Sequence, residues 1–173
     1  KISPMRHILN TSGINRFPQH QMEMVRLGIG LYGIDGSQTI QNQLEKVHTL
    51  KATISQIKNI TKGETIGYGR KGKAKKAMRI ATISIGYADG LMRSAGNGNF
   101  SVLIQGKRAH IAGNICMDMC MVDVTKIPKA ATGDEVIIFG ENPTVEELAN
   151  VMGTIPYEIF PTISDRVKRV YLY

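Results

Sequence analysis

The sequence predicts a mainly β fold, an antiparallel β-barrel or sandwich carrying one or two short helices. Three observations predict it: period-2 alternation of Val, Ile and Thr from residue 47 onward, Gly-containing turns between the alternating runs, and a lone segment with helical spacing. The alternating runs are VHTLKATISQIKNIT (47–61), MRIATISIGYA (78–88), FSVLIQG (100–106), KRAHIAGNICMDMCMVDV (107–124) and DEVIIFG (134–140), separated by KGE, NGN, QGK or TGD. QGKR between two of these runs is a hairpin signal, and regular short strands with Gly punctuation favour a barrel or sandwich. The helical segment is PTVEELANVMG (143–153). Thr144 with Glu147 three residues on reads as a capping box, Val145, Leu148 and Met152 recur at helical spacing, and Gly153 terminates the run. Residues 1–36 differ in texture: MRHILNTSGINRFP and MVRLGIGLYGIDG read as two short strands, each ending in a Gly-containing loop, with too little apolar material for a core of their own.

Length and composition narrow the function classes. The chain has 173 residues, 42% hydrophobic and 21% charged, which excludes disordered and collagen-like classes and is enough for one good core without disulfide or metal staples. No apolar run approaches the roughly 20 residues of a membrane span, and the start carries no secretory pattern, so a cytoplasmic location is expected. The first residue is Lys1, followed at once by an apolar-polar mixture, and the sequence is read as a piece of a longer one. The net charge of +8 raises the question of nucleic acid, but six of the basic residues lie in Arg70–Arg79, leaving only +2 elsewhere. That window lacks interleaved aromatics and the chain has no Trp, so a local basic loop is the simpler reading. A basic β-barrel binding module using Lys71, Lys73, Lys75 and Lys76 is the alternative it leaves. In a continuous strand Cys116 and Cys120 would stand about 13 Å apart, too far for a disulfide. His7, His20, His48 and His110 are scattered without a pair pattern, and no metal site is expected.

Five segments carry more specific information: LNTSGINRFP, MVRLGIGLYG, TIGYGR, SIGYADG and GNICMDM. In order and spacing they resemble the motifs of the alanine racemases, a family dependent on pyridoxal 5'-phosphate (PLP), across nearly the whole chain. The resemblance implies that residues 1–36 are the last strands of a PLP-binding (β/α)8 barrel, an incomplete remnant, and that residues 37–173 are the family's C-terminal β domain. It implies L-alanine and D-alanine as substrates, D-alanine for peptidoglycan, and a homodimer with active sites shared across the interface. It also places the covalent PLP lysine upstream of Lys1, so that the present sequence alone is expected to be inactive. A serine or broad-specificity PLP racemase is the nearest alternative; a PLP decarboxylase of similar architecture is disfavoured by CMDM and IGYADG. Neither nucleic acid nor membrane is an expected partner.

Residue by residue, Tyr68 in TIGYGR resembles the family's second catalytic base, which exchanges the Cα proton in the partner subunit's site on the face opposite the lysine. A phenol, with a pKa near ~10, needs donors or positive charge to act so at neutral pH. Taken alone it would be a half-buried sheet tyrosine. Arg26 matches the arginine facing the PLP pyridine nitrogen; a guanidinium only donates and stays protonated, so the ring is a weaker electron sink and less carbanion accumulates. His7 matches a histidine that hydrogen-bonds this arginine. Thr11, following Asn10, stands where a serine hydroxyl usually meets the phosphate, with Gly28 and Ile29 as backbone N–H donors. Met117 matches a backbone N–H on the substrate carboxylate, Tyr87 a gate residue of the access channel and Arg93 a charged residue further out. Three departures are Asn114 for a usual arginine near the channel, Leu27 for a proline and Thr11 for a serine. A fourth is Asp165, where the family has a tyrosine on the phosphate. A carboxylate there is unfavourable unless turned away, protonated or paired with Arg166 or Arg169, and its smaller volume is expected to widen the pocket toward serine.

Overall fold

The alternating runs form a six-stranded, nearly closed antiparallel sheet. In the computed structural model, which describes residues 2–37 and 39–172, its strands are β3 (Leu50–Ile60), β6 (Met78–Ile83), β7 (Ser101–Ile104), β8 (Lys107–His110), β9 (Cys120–Asp123) and β10 (Glu135–Phe139). They lie in the order β8-β7-β10-β3-β6-β9. Two short strands outside this sheet, β4 (Thr65–Ile66) and β5 (Gly72–Lys73), pair with each other. A bridge between Ile111 and Val122 joins the stretch after β8 to β9 and brings the sheet edges together, which satisfies backbone groups that an open edge would leave bare. Alternate residues point inward: Ala81, Ile83, Val102, Ile104, Val122, Val136 and Ile138 are fully buried. QGKR makes the expected hairpin, with Ile104 opposite Lys107 and positive φ at Gln105 (47°) and Gly106 (73°), the two left-handed residues of a tight hairpin turn.

The long run 107–124 is not one strand. It pairs regularly only as β8 and β9, and the residues between them form a loop, so Cys116 and Cys120 do not share a strand; both are free and buried. A register shift in β3 between Ile54 and Gln56 bends that long strand. Beyond the bend, Ile60, Ile66, Ala74 and Ile80 form a small satellite core that seats β4 and β5 on the barrel.

The helical segment is α2 (Val145–Met152). The Thr144 hydroxyl accepts from the Glu147 N–H at 3.1 Å, and Gly153 ends the helix in the left-handed region. The return half of the expected capping box is absent, because the Glu147 carboxylate is engaged instead by the Arg108 guanidinium on β8, at 2.9 and 2.7 Å. A bidentate charged pair outcompetes a second capping bond. A second short helix, α3 (Pro156–Thr162), follows, with Ile159 buried and Phe160 edge-on to Phe139 at 6.1 Å. Among the described residues no helix is long and apolar enough to cross a membrane.

The chain divides into two compact units, Lys1–His48 and Thr49–Tyr173, and everything above belongs to the second. The first holds β1 (His7–Asn10) and β2 (Met24–Arg26), which pair in parallel, with α1 (Thr11–Arg16) in the connection between them. The segment following residue 36 is tied to this first unit. Gln41 donates to the Gly33 carbonyl at 2.9 Å, and the buried Asp35 carboxylate accepts from the N–H groups of Ser37 and Ile40. NTSG, which alone reads as a turn, opens α1: the Asn10 side chain accepts from the Gly13 N–H at 3.0 Å as its N-cap.

Candidate active site

In the second unit, Tyr68 occupies the turn between β4 and β5, where the satellite core anchors the backbone and leaves the ring 75% exposed. Gly67 and Gly69, both at positive φ, let the chain turn sharply on either side of it. Asn114 fixes the turn from the facing loop: its amide donates to the Tyr68 carbonyl at 2.8 Å and its carbonyl accepts from Asn97 at 3.0 Å. Tyr68, Tyr87, Arg93, Cys116, Met117 and Asp118 line one cavity of about 430 Å³, so the three residues expected at the substrate from this unit come together. A neighbouring cavity of about 410 Å³ shares Tyr68 and Met119 and includes Lys58 and Glu64.

The Tyr87 and Met117 loops are stitched together along the backbone. The Tyr87 N–H donates to the Cys116 carbonyl and the Ala88 N–H to the Met117 carbonyl, each at 3.0 Å. Gly86 permits this approach, since a β-carbon there would lie 2.3 Å from the Cys116 oxygen and 2.4 Å from that of Met117. The Met117 carbonyl is thus used, while among the described residues nothing accepts from its N–H. Met117 is 54% exposed.

Behind these loops stands a cluster of charges that the motifs do not single out. Arg166 donates through Nε to Asp89 Oδ1 at 2.7 Å and through Nη2 to Asp118 Oδ1 at 2.6 Å, while the other Asp89 oxygen accepts from the Gly86 N–H at 2.9 Å. These charge-assisted bonds, to Asp89 first, hold the Arg166 guanidinium above its ordinary range. Arg166 is therefore not the partner of Asp165, whose side chain is fully exposed and stands 4.0 Å from Arg169. Arg169 bonds the carbonyls of Ile163, Ser164 and Val167. Burial, followed by the neighbouring Cys116, pushes the Cys120 thiol up, so Cys120 is an inert core residue.

In the first unit the residues expected around PLP also gather. The Thr11 hydroxyl accepts from the N–H groups of Gly28 and Gly30 at 3.0 and 3.2 Å, with Ile29 buried between them. A β-carbon on Gly30 would come within 2.9 Å of the Thr11 methyl, so the two chain turns close tightly around the hydroxyl. Arg26 pairs in register with Asn10 and donates to the Ile8 carbonyl at 3.0 Å. Among the described residues no bond joins His7 to Arg26, and the Asn10 side chain serves as a helix cap.

The nearly closed β-barrel unit presents a phenol, a guanidinium and a backbone N–H to one cavity, and the parallel-stranded unit, taken by itself, holds a hydroxyl within a glycine turn, features that define a class of chains built around small-molecule sites. The model of the family described as "Alanine racemase, C-terminal domain" matches residues 47–171. The chain belongs to the alanine racemase family. It is 43% identical to an alanine racemase of Clostridium tetani over 97% of this chain and 45% of that protein. An alanine racemase structure from Clostridium difficile superposes with a TM-score of 0.89 at 41% identity, over 97% of this chain and 45% of the other. One from Bartonella henselae, with covalently bound pyridoxal phosphate, gives 0.86 at 34% identity, over 95% and 46%. The chain thus spans about half the length of the relatives it matches.

Proposed function

We propose that this chain is the C-terminal portion of a cytoplasmic, homodimeric, PLP-dependent racemase that interconverts L-alanine and D-alanine for peptidoglycan by a two-base mechanism. The observation that carries the reading is the single cavity lined by Tyr68, Tyr87 and Met117. Residues 1–36 are assigned to the end of the PLP-binding barrel and residues 37–173 to the β domain; the parallel pairing of β1 and β2 and the antiparallel barrel from β3 onward support the two-part reading, while the compact units divide later, between His48 and Thr49.

The residues present fit PLP. The Thr11 hydroxyl, accepting from the Gly28 and Gly30 N–H groups, keeps its own O–H to donate to a phosphate; of the two expected backbone donors, the Gly28 N–H is spent on Thr11 while among the described residues nothing accepts from the Ile29 N–H, and Arg26 stands on the adjoining strand with N–H groups to spare for the pyridine nitrogen. His7 and Asn10 contribute through β1 and the α1 cap that orient these groups. Asp165, turned to solvent, is not assigned to the phosphate. PLP, when bound, supplies the electron sink that makes the substrate Cα proton acidic enough to move.

The chain's own residues do the rest. The Met117 N–H binds the substrate carboxylate, and Tyr87 and Arg93 narrow and charge the approach. In the partner subunit's site the Tyr68 phenolate oxygen takes the Cα proton from one face, and as the phenol it returns a proton to that face in the opposite direction. The second base, on the other face, is by the resemblance a lysine. A general acid-base residue of this kind contributes roughly 10²–10⁴-fold. In the full-length protein with PLP, Tyr68→Phe is therefore expected to lower kcat for D-alanine formation from L-alanine by at least about a hundredfold. Normal racemisation by the variant would end the assignment of Tyr68, and an inactive parent that binds PLP would end that of alanine.

A further inference from the structure

Asp118 poses an electrostatic problem for the site just described, because it is a carboxylate lining the cavity in which another carboxylate has to bind. It directly follows Met117, whose N–H is the proposed contact for the substrate. Arg166 is the group that answers it, reaching Asp118 at 2.6 Å and Asp89, two residues after Tyr87, at 2.7 Å. One guanidinium from the segment after α3 thereby spans both loops that carry the substrate contacts. The Asp89 end is firmly seated: that side chain is nearly buried and also accepts from the Gly86 N–H, in the loop whose backbone supports Cys116 and Met117.

We propose that Arg166 is a positioning residue for substrate binding: by bridging Asp89 and Asp118 it fixes the Met117 loop and neutralises the one carboxylate beside the substrate's own. The inference rests on the reading of Met117 as the carboxylate contact and goes beyond it, since among the described residues the Arg166 guanidinium bonds Asp89 and Asp118 and does not itself meet the substrate. Two consequences separate the role from mere structural support. The effect falls on binding, which ground and transition state share, so it appears in KM while kcat is largely kept. Because part of it is repulsion, it is relieved by removing the charge on Asp118.

The test is steady-state racemisation by the full-length protein. Arg166→Gln is expected to raise KM for alanine about tenfold with kcat changed by less than about threefold, and the double variant Arg166→Gln/Asp118→Asn to return KM to within about threefold of the parent. An unaltered KM in the single variant, or a double variant as impaired as the single, overturns the proposal. Should Arg166→Gln not fold, Arg166→Lys replaces it: a lysine keeps the charge but not the fork, so a rise of about threefold is expected, again reversed by Asp118→Asn. Amide exchange through residues 115–119, read by mass spectrometry on the same proteins, keeps the two ideas apart. A parent with no racemase activity defeats the proposed function alone, whereas exchange there that is unaltered by Arg166→Gln defeats the positioning role whatever the parent turns over.

Discussion

Asn114 holds Tyr68 by its carbonyl and not by its ring, so it controls where the phenol stands while leaving the hydroxyl free. Its other end is tied to Asn97, which makes the clamp a short chain of amides between two loops. In sequence it stood out only as a residue replacing a usual arginine, and nothing in GNICMDM says that its side chain turns back to the TIGYGR turn. Misplacing a reacting group by an ångström costs orders of magnitude in rate, far more than the loss of one exposed hydrogen bond costs in stability. Asn114→Ala is therefore expected to lower kcat about tenfold while KM moves by less than about twofold, the reverse of the Arg166 pattern. Equal kcat for parent and variant would show that the satellite core alone places Tyr68.

The strands were legible because each barrel strand buries one face, and a period of two is what that burial writes into a sequence. Val102 and Ile104 on β7 and Val136 and Ile138 on β10 are the clearest cases. What periodicity missed has a physical reason each time. The run 107–124 reads as one strand pattern, yet its middle leaves the ladder so that Cys116 and Met117 can face the Tyr87 loop, a local rule broken at the candidate site. The capping box was half right, because a guanidinium on a strand close in space but distant in sequence claimed the Glu147 carboxylate. Helix α1 went unseen since six residues are too few for a helical period and its signal is one Asn10 cap. The site was legible as a set of motifs, and Tyr68, Tyr87 and Met117 do share a cavity, whereas Arg166 joins Asp89 and Asp118 across separations of 77 and 48 residues that no local pattern spans. At α2 the consequence is measurable. Thr144→Ala removes the one N-cap bond that forms and is expected to cost about 1 kcal/mol. Glu147→Gln, which keeps an acceptor for Arg108 but not the charge, is expected to cost less, on the order of 0.5 kcal/mol. Urea midpoints decide it, and a larger loss for Glu147→Gln would mean that the tie to β8, more than the cap, holds the helix.

Across the whole chain, charge is distributed unevenly enough to make the two units respond differently to acid. In the first unit, burial pushes the Asp35 carboxyl up, but the N–H of Ile40, the hydroxyl and N–H of Ser37 and the N–H of Thr39 outweigh it and hold it below the ordinary carboxylate range. In the same unit, hydrogen bonds from the Arg6 side chain and backbone bring Glu23 down to about 2. A carboxylate whose pKa is depressed by folding adds stability that is fully present above its unfolded value, near 4, and is lost as pH falls through the folded value. Glu23 and Arg6 are exposed and screened, so most of the acid sensitivity belongs to Asp35, which ties residues 33–41 together from a buried position. Among the described residues of the barrel unit, the carboxylate held below its ordinary range is Glu64, which caps an exposed turn at Thr61. On acidification from pH 5 toward pH 2, amide exchange is therefore expected to rise first through residues 33–41, while strands β6, β7 and β10 stay protected. Asp35→Asn, which retains an acceptor but has no charge to titrate, should exchange faster than the parent at pH 7 and change little on acidification. Parallel pH profiles for parent and variant would place the acid-sensitive charge elsewhere in the chain.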